Sequence, residues 1–455
     1  MPRPLPHPSG RARRALGAGL AVSAAMLAAE PAFALQPVTE FLEHARTWNP
    51  QNRAARATTA STDAQVSVST GSLLPSFSAS GTYTRNQYEV TTAALIPPGS
   101  LPAGITFPNT VIQPQNQLDA NLTLNIPIIN VGNWDRRAVA KATLAGAHAD
   151  EENTQLTIAK GILRDYYTLL GNAAVVLSAN KNVEVARNNV ALARDRKENG
   201  TGSELDVQRA LADQAKAEQS LTGAELQLTD TRRDLYSLSG LEAGPVGSGF
   251  PEDDLHEEQP LAMWTGKTSA LPSVRSAEAR RVEAEESAHA AHSAWYPTVS
   301  ADGQERFTNA TAFVGGHTAI YLLQLSASWK LDTTIAPQIR AQNAAASAAR
   351  ANVDYARLLA EDAVFRDWQQ IHADIESSRS ARVQVAATQL AASLAEDRYK
   401  AGVATQLDVL QARQDAFSAD VARIQSDADL AYARLALRLD AGQLGTLNAG
   451  AKEMR

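Results

Sequence analysis

The 455-residue sequence has no cysteine. That excludes disulfides, thiolate metal sites, cysteine nucleophiles and a lipid-modified N-terminal cysteine. No stretch reaches 18 consecutive apolar residues, so no transmembrane helix is expected. A membrane β-barrel stays open, because its strands alternate and never produce a long apolar run. Positive charge is not in excess either, the formal net charge being -7, which argues against a nucleic-acid partner since phosphate binding needs a basic face. The catalytic signatures G-x-S-x-G and H-E-x-x-H are absent, as is a phosphate-cradling glycine loop. The chain is therefore not expected to be an enzyme, to bind a cofactor or to couple to a nucleotide.

What is present begins with an address. Arg11, Arg13 and Arg14 precede the apolar run Ala15–Ala29, and small residues stand at Ala32 and Ala34. This reads as a secretory signal peptide over 1–34, cut after Ala34. Without it the chain keeps 38 basic and 48 acidic residues, a net charge near -10.

The remainder is written twice. Asp195–Ala210 and Asp397–Ala412 agree at seven of sixteen positions without a gap. Pro50, Arg53, Pro75 and Gly81 match Pro272, Arg275, Pro297 and Gly303 at an offset of 222, and 122–138 matches 325–341 at an offset of 203. A unit of half the chain is not a solenoid repeat, whose period is about 20–50 residues. It divides the chain into a first repeat (35–240), a linker (241–270), a second repeat (271–440) and a tail (441–455).

Each copy opens with an Ala-rich helical stretch and then changes period. In 118–128, Leu118, Ala120, Leu122, Leu124, Ile126 and Ile128 alternate with Asp119, Asn121, Thr123, Asn125 and Pro127. Alternation over eleven residues is the length a tilted strand needs to cross a bilayer, about 9–11. Its counterpart is 319–331, where Tyr321, Leu323, Leu325, Ala327, Trp329 and Leu331 share a face. Weaker strands follow Pro75 and Pro297, over about 75–90 and 297–308. The proline-rich 91–116 and the shorter 308–318 read as loops.

Long helical tracts follow, over 136–198 and 338–398. Leu156, Ala159, Leu163, Tyr166, Leu170, Ala173 and Leu177 form one seam, and Val364, Trp368, Ile371 and Ile375 another. Each tract ends at a glycine, Gly200 or Gly402, suited to the left-handed residue that stops a helix. Ser203 and Thr405 then stand three residues before Asp206 and Asp408, the spacing of a capping box. Each copy therefore folds back as a helical hairpin with its tip at 199–203 or 401–405. Capping explains both aspartates without any further role.

The order helix, strand, strand, hairpin, together with "SLLPSFSASGTY", "LNIPIINVG", "ENGTGSELDVQRA" and "YKAGVATQLDVLQA", resembles the TolC-type family of outer-membrane efflux channels over essentially the whole mature chain. The resemblance implies a mixed α+β membrane protein: a trimer whose twelve-stranded β-barrel, four strands from each protomer, continues as a long α-helical periplasmic tunnel. A physical argument agrees, since four strands cannot close a barrel around a lumen and an open edge in hydrocarbon leaves backbone groups unpaired. The implied function is a passive duct for small molecules. Energy would come from an inner-membrane pump of RND, ABC or MFS type, reached through a periplasmic adaptor protein. The implied location is the outer membrane of a Gram-negative bacterium, with lipid around the barrel.

Carried over by motif, Asp206 and Asp408 would form acidic rings at the periplasmic constriction. Tyr399 would hold the tip closed by bonding across to Asp206. The turns Asn199, Gly200, Thr201 and Ala401, Gly402, Val403 would dock the adaptor. The chain departs from the family at Ala404, where an arginine assists that contact, and at Gln411, where a second acid lies. Two alternatives share parts of the pattern: the outer duct of a one-step protein secretion system, and a periplasmic coiled-coil scaffold without a pore. Glu285, His289 and His292 have a spacing that can hold a metal, but such residues more often dress a solvated helix face.

Overall fold

The computed structural model describes residues 35–443 apart from 96–101, 103, 105–108, 248–251 and 312–315. The signal peptide, much of the 91–116 loop and the tail beyond 443 thus lie outside the described residues.

Two short helices lead in. α1 (Val38–Trp48) ends at Asn49, whose side chain accepts from the N–H groups of Gln51 and Asn52 and so caps α2 (Pro50–Gly71), which starts with proline at its first position. β1 (Ser76–Arg85) follows Pro75. A small ribbon, β2 (Val90–Thr91) paired with β3 (Val111–Gln113), and one helical turn, α3 (Thr92–Leu95), occupy the described part of the segment read as loop. β4 (Asn116–Ile129) leads into α4 (Val131–Glu198), 68 residues long, or about 100 Å at 1.5 Å per residue. α5 (Glu204–Ser239) returns. The second half repeats this order: α6 (Pro272–His292), β5 (Thr298–Thr308), β6 (Ala319–Ser328), α7 (Ile335–Lys400) and α8 (Gln406–Asp440).

The four long strands form one antiparallel sheet in the order β1-β4-β5-β6. β4 and β5, from different halves, pair at its centre, and β1 and β6 are its free edges. Its amphipathicity is inverted relative to a soluble sheet. The even residues of β4, apolar from Leu118 onward, are mostly exposed, whereas its polar odd residues are half-buried. Register places Phe77, Leu124, Gly303 and Leu323 in one outward row, and Ala79, Leu122, Glu305 and Tyr321 in the next. Glu305 is thus an acid within an otherwise apolar row. The opposite face carries Asp119, bonded to Arg306 at 2.7 Å, and Asp302, which accepts from Asn125 at 2.5 Å and Ser326 at 2.8 Å.

Two strands are shorter than expected. β1 stops at Arg85, whose guanidinium bonds Asn116 across the pair. β6 stops at Ser328, because the Trp329 indole turns to donate to the Trp295 carbonyl at 3.1 Å.

The helices pack side by side, with α4 between α5 and α8, and α7 beyond α8. The main core lies midway along α4, where Ile162, Leu163 and Leu169 meet Phe41, Leu235 and Leu439. A second core joins Val364, Ile371 and Ile375 of α7 to Leu430 and Leu437 of α8 and to Trp264 of the linker. The linker is strapped on by Arg434, fully engaged by Asp253, Glu258 and the His256 carbonyl. Of the α4 seam, Leu156 and Leu163 are buried and Leu177 is exposed. Ile158, Ile162 and Leu169 bury a second face that the seam alone did not include, because α4 has neighbours on several sides.

Candidate functional site at the hairpin tips

At the first tip α4 unwinds through Asn199, and Gly200 takes φ 74°. The Arg196 carbonyl collects three donors from the turn: the N–H groups of Thr201 and Gly202, each at 2.9 Å, and the Thr201 hydroxyl at 3.2 Å. Gly202 is needed for this closeness, since a Cβ there would stand 3.0 Å from the Arg196 Cβ and the Lys197 nitrogen. Ser203 then caps α5. Its hydroxyl accepts from the Asp206 N–H at 3.2 Å and donates to the Asp206 carboxylate at 2.7 Å, which also accepts from the Ser203 N–H. Lys197 pairs with Glu204 across the turn.

The second tip repeats the construction. Gly402 takes φ 76° and donates to the Tyr399 carbonyl at 3.0 Å. The Thr405 N–H and hydroxyl both donate to the Asp408 carboxylate at 2.8 Å, and the Asp408 N–H returns a bond at 3.3 Å. The Thr405 N–H, then its hydroxyl, holds the exposed Asp408 below the usual carboxylate range. Ala401, Gly402 and Val403 project into solvent, as do Asn199, Gly200 and Thr201. Gln411 is exposed and bonds Asp415 within its own helix at 2.9 Å.

Tyr399, beside these exposed turns, is buried. The structure does not give it the expected bond to Asp206, one carboxylate oxygen of which accepts from the Ser203 N–H and hydroxyl. Instead the Arg196 guanidinium lies over the Tyr399 ring, 4.4 Å from its centroid, and donates to the Tyr399 carbonyl at 2.7 Å. Burial pushes the Tyr399 hydroxyl above its ordinary value; Arg196 acts the other way, and the negative charge of Asp206 adds to the rise. Arg196 is the tip residue that sequence reasoning missed. Its one signal was the repeated Asp-Arg pair that opens both copies of the tip, at Asp195–Arg196 and Asp397–Arg398.

Two metal candidates dissolve on inspection. Glu285 is occupied by Arg281 at 2.6 Å and Arg350 at 2.8 Å. The ligand atoms of Asp253, Asp254 and His256 lie within 4.8 Å of one another. Both Asp253 oxygens, however, accept from Arg434, and the His256 ring sits between Asp254 and that same guanidinium. A cation already fills the space a metal would need.

The chain matches the family model of the outer membrane efflux proteins over residues 41–241 and 269–443. It is 26% identical over 304 residues to the outer membrane efflux protein BepC of Brucella suis biovar 1, covering 65% of this chain and 66% of that one. It is 32% identical over 246 residues to SrpC, a solvent efflux pump outer membrane protein of Pseudomonas putida, covering 48% of each. The chain thus spans less than two thirds of the length of these relatives. Its fold superposes on the outer membrane protein VceC of Vibrio cholerae with a TM-score of 0.72 at 18% identity, over 89% of this chain and 96% of that one.

Proposed function

The chain belongs to the outer membrane efflux protein family, and on that premise we propose that three copies of it form the outer-membrane channel of a tripartite efflux system. The observation that carries this reading is the inverted sheet. Its outward rows from Leu118 onward are largely apolar and exposed, among them Phe77, Leu118, Leu323 and Leu325, and charged and amide side chains of β4 and β5 bond one another on the other face, where Ile320 and Leu322 of the edge strand β6 also stand. In water such a sheet is unstable; around a wet lumen, with lipid outside, it is the expected solution.

Assembly follows from the edges. β1 and β6 leave unpaired backbone groups that hydrocarbon does not tolerate, so β6 of one copy pairs with β1 of the next. Three copies give twelve strands, an even number in the barrel range. α5 and α7 flank the protomer, and α7 exposes Phe365, Val383, Leu390 and Leu394. The next copy would cover them. The exposed aromatics Trp134, Trp295 and Trp329 at one end of the sheet and Tyr83 at the other suit the two membrane interfaces.

The tips are then the inner mouth. Asp206 and Asp408, three of each, set a ring of negative charge there, and the exposed turns at 199–201 and 401–403 receive the adaptor. The pump beyond the adaptor supplies the energy. The cargo is small molecules, in keeping with a relative named for solvent efflux.

Single-channel conductance of the detergent-extracted protein in a planar bilayer tests this. Small cation-selective openings are expected, with selectivity weakened by joint Asp206→Asn and Asp408→Asn. A folded protein that never inserts or conducts would refute the channel. Selectivity unmoved by the double variant would leave the aspartates as helix caps alone.

A further inference from the structure

The two hairpins of one protomer are joined sparsely toward their tips. Among the described residues, the side-chain hydrogen bonds linking them from Ser178 outward are Ser178 to Asp420 at 2.6 Å, Arg413 to the Val185 carbonyl at 3.5 Å, and Arg196 to the Tyr399 carbonyl at 2.7 Å. From Ser178 to Arg196 is 18 residues, or about 27 Å of helix. Over that length the Arg413 contact is long and weak, so the one strong polar link is at the end.

The chemistry of that link is specific to arginine. Its guanidinium sits at the C-terminal, negative end of the 66-residue α7, where the Tyr399 carbonyl also accepts from the Gly402 N–H. It donates along one edge to the Tyr399 carbonyl while its face covers the Tyr399 ring. A planar, delocalised cation does both at once, and a lysine ammonium cannot. At its other end the same residue is held by the first tip, since its carbonyl takes all three donors of the Thr201–Gly202 turn. One residue therefore touches the exposed turn of the first hairpin and the buried tyrosine of the second.

We propose that Arg196 is the positioning residue of the closed tip, clasping the second hairpin through Tyr399 and coupling that clasp to the docking turn at 199–202. This rests on the reading of the tips as the channel's inner mouth. A partner that reshapes the turn loosens the grip on the Arg196 carbonyl, draws the guanidinium off Tyr399 and lets the hairpins part. The docking surface and the closure would thus share one side chain.

The test compares the purified full-length channel with Arg196→Lys, Arg196→Gln, Tyr399→Leu and Arg187→Gln in planar bilayers. Arg187 pairs with Glu218 inside the first hairpin at 3.2 Å and does not reach the second. Arg196→Lys is expected to raise the open fraction about tenfold, the scale of one lost hydrogen bond to a charged group, and Tyr399→Leu, which keeps the backbone carbonyl and loses the ring beneath the guanidinium, about threefold to tenfold. Because Arg196→Lys keeps the charge, its ion selectivity should stay that of the parent, whereas a purely electrostatic role would leave its open fraction unchanged as well. Arg187→Gln should conduct like the parent. If Arg196→Gln loses its assembled form, the lysine variant, matched in charge, still decides. A conducting parent with Arg196→Lys and Tyr399→Leu indistinguishable from it would overturn the clasp and leave the channel standing. A folded parent that never conducts would remove the channel reading, and the clasp with it.

Discussion

Replacing Leu124 by arginine separates a membrane barrel from a soluble sheet more sharply than any other single change. Leu124 lies mid-strand in β4, 40% exposed, between Phe77 of β1 and Gly303 of β5 on the outward face. If that face met water, the change would exchange an exposed leucine for an exposed arginine and cost within about 0.5 kcal/mol. If it meets lipid, arginine near the bilayer midplane costs about 2–4 kcal/mol per copy, and about 6–12 in a trimer. Even the lower figure shifts assembly by about four powers of ten, at 1.4 kcal/mol each. The comparison is Thr123→Arg, one residue away but on the inner face between Ser78 and Gln304, where it would meet lumen water. Heat-resistant trimer in detergent gels and retention in alkali-washed membranes report assembly. Leu124→Arg should lose both and Thr123→Arg should keep both. Normal assembly of Leu124→Arg, or equal loss in the two variants, would refute the lipid-facing assignment.

Gly240 ends α5 at φ 75°, and a Cβ there would stand 2.2 Å from the Trp48 ring. Gly240→Ala should therefore lower stability by about 2 kcal/mol or more, backbone strain alone accounting for about 1–2; Gly223→Ala, with open space around it, should not, as thermal melting in detergent would show. Burial and the neighbouring Asp440 carboxyl push Asp367 up to about 7, and burial with Asp234 pushes Asp165 up to about 6. The folded chain then holds protons that the unfolded chain has released, so their stabilisation is complete below about pH 4 and is lost as pH rises through 6 to 7. Melting temperature should fall from pH 5 to pH 8, and Asp367→Asn should flatten that slope; an unchanged slope in the variant would locate the effect elsewhere.

The legible parts were those written in a local period. Alternation over 118–128 specified β4 to within a residue or two of its ends, since a strand with opposed faces admits one register. The left-handed glycines and the S-x-x-D and T-x-x-D spacings specified both tips, because a capping box is closed by residues three apart. What local spacing could not carry was which distant residue meets which. Tyr399 was assigned to Asp206, yet its ring is covered by Arg196, 203 residues away in sequence, while Asp206 caps its own helix through Ser203. The ribbon Val90–Gln113 escaped for a related reason: its pairing is non-local, and proline density disguised the short strands. Glu305 interrupts an apolar row that only cross-strand register reveals.

The same distinction explains where the chain places its buried charge. Beyond the apolar core that joins Val364, Ile371 and Ile375 to Leu430 and Leu437, α7 and α8 are Ala-rich, and small side chains leave neighbouring registers of similar burial. Asp427 breaks the degeneracy. Its side chain is fully buried, accepts from Ser378 at 2.5 Å, and lies 3.2 Å from both Arg382 and Arg423. Sliding either helix by a turn would part this buried carboxylate from Ser378 and Arg382 of α7 and leave it only Arg423 of its own helix, a loss of about 1.5–3 kcal/mol for each charged hydrogen bond. The pair need not add net stability to do this, since a well-packed apolar substitute is often as stable. What it supplies is discrimination between registers. Arg382 also donates to the Asp253 carbonyl at 2.9 Å, and Arg434 grips the Asp253 carboxylate, so the linker is seated by the same charges. Ser378 stands 22 residues before Lys400, about 33 Å of helix, so the register of α7 on α8 is set well before the chain reaches Tyr399 and the tip.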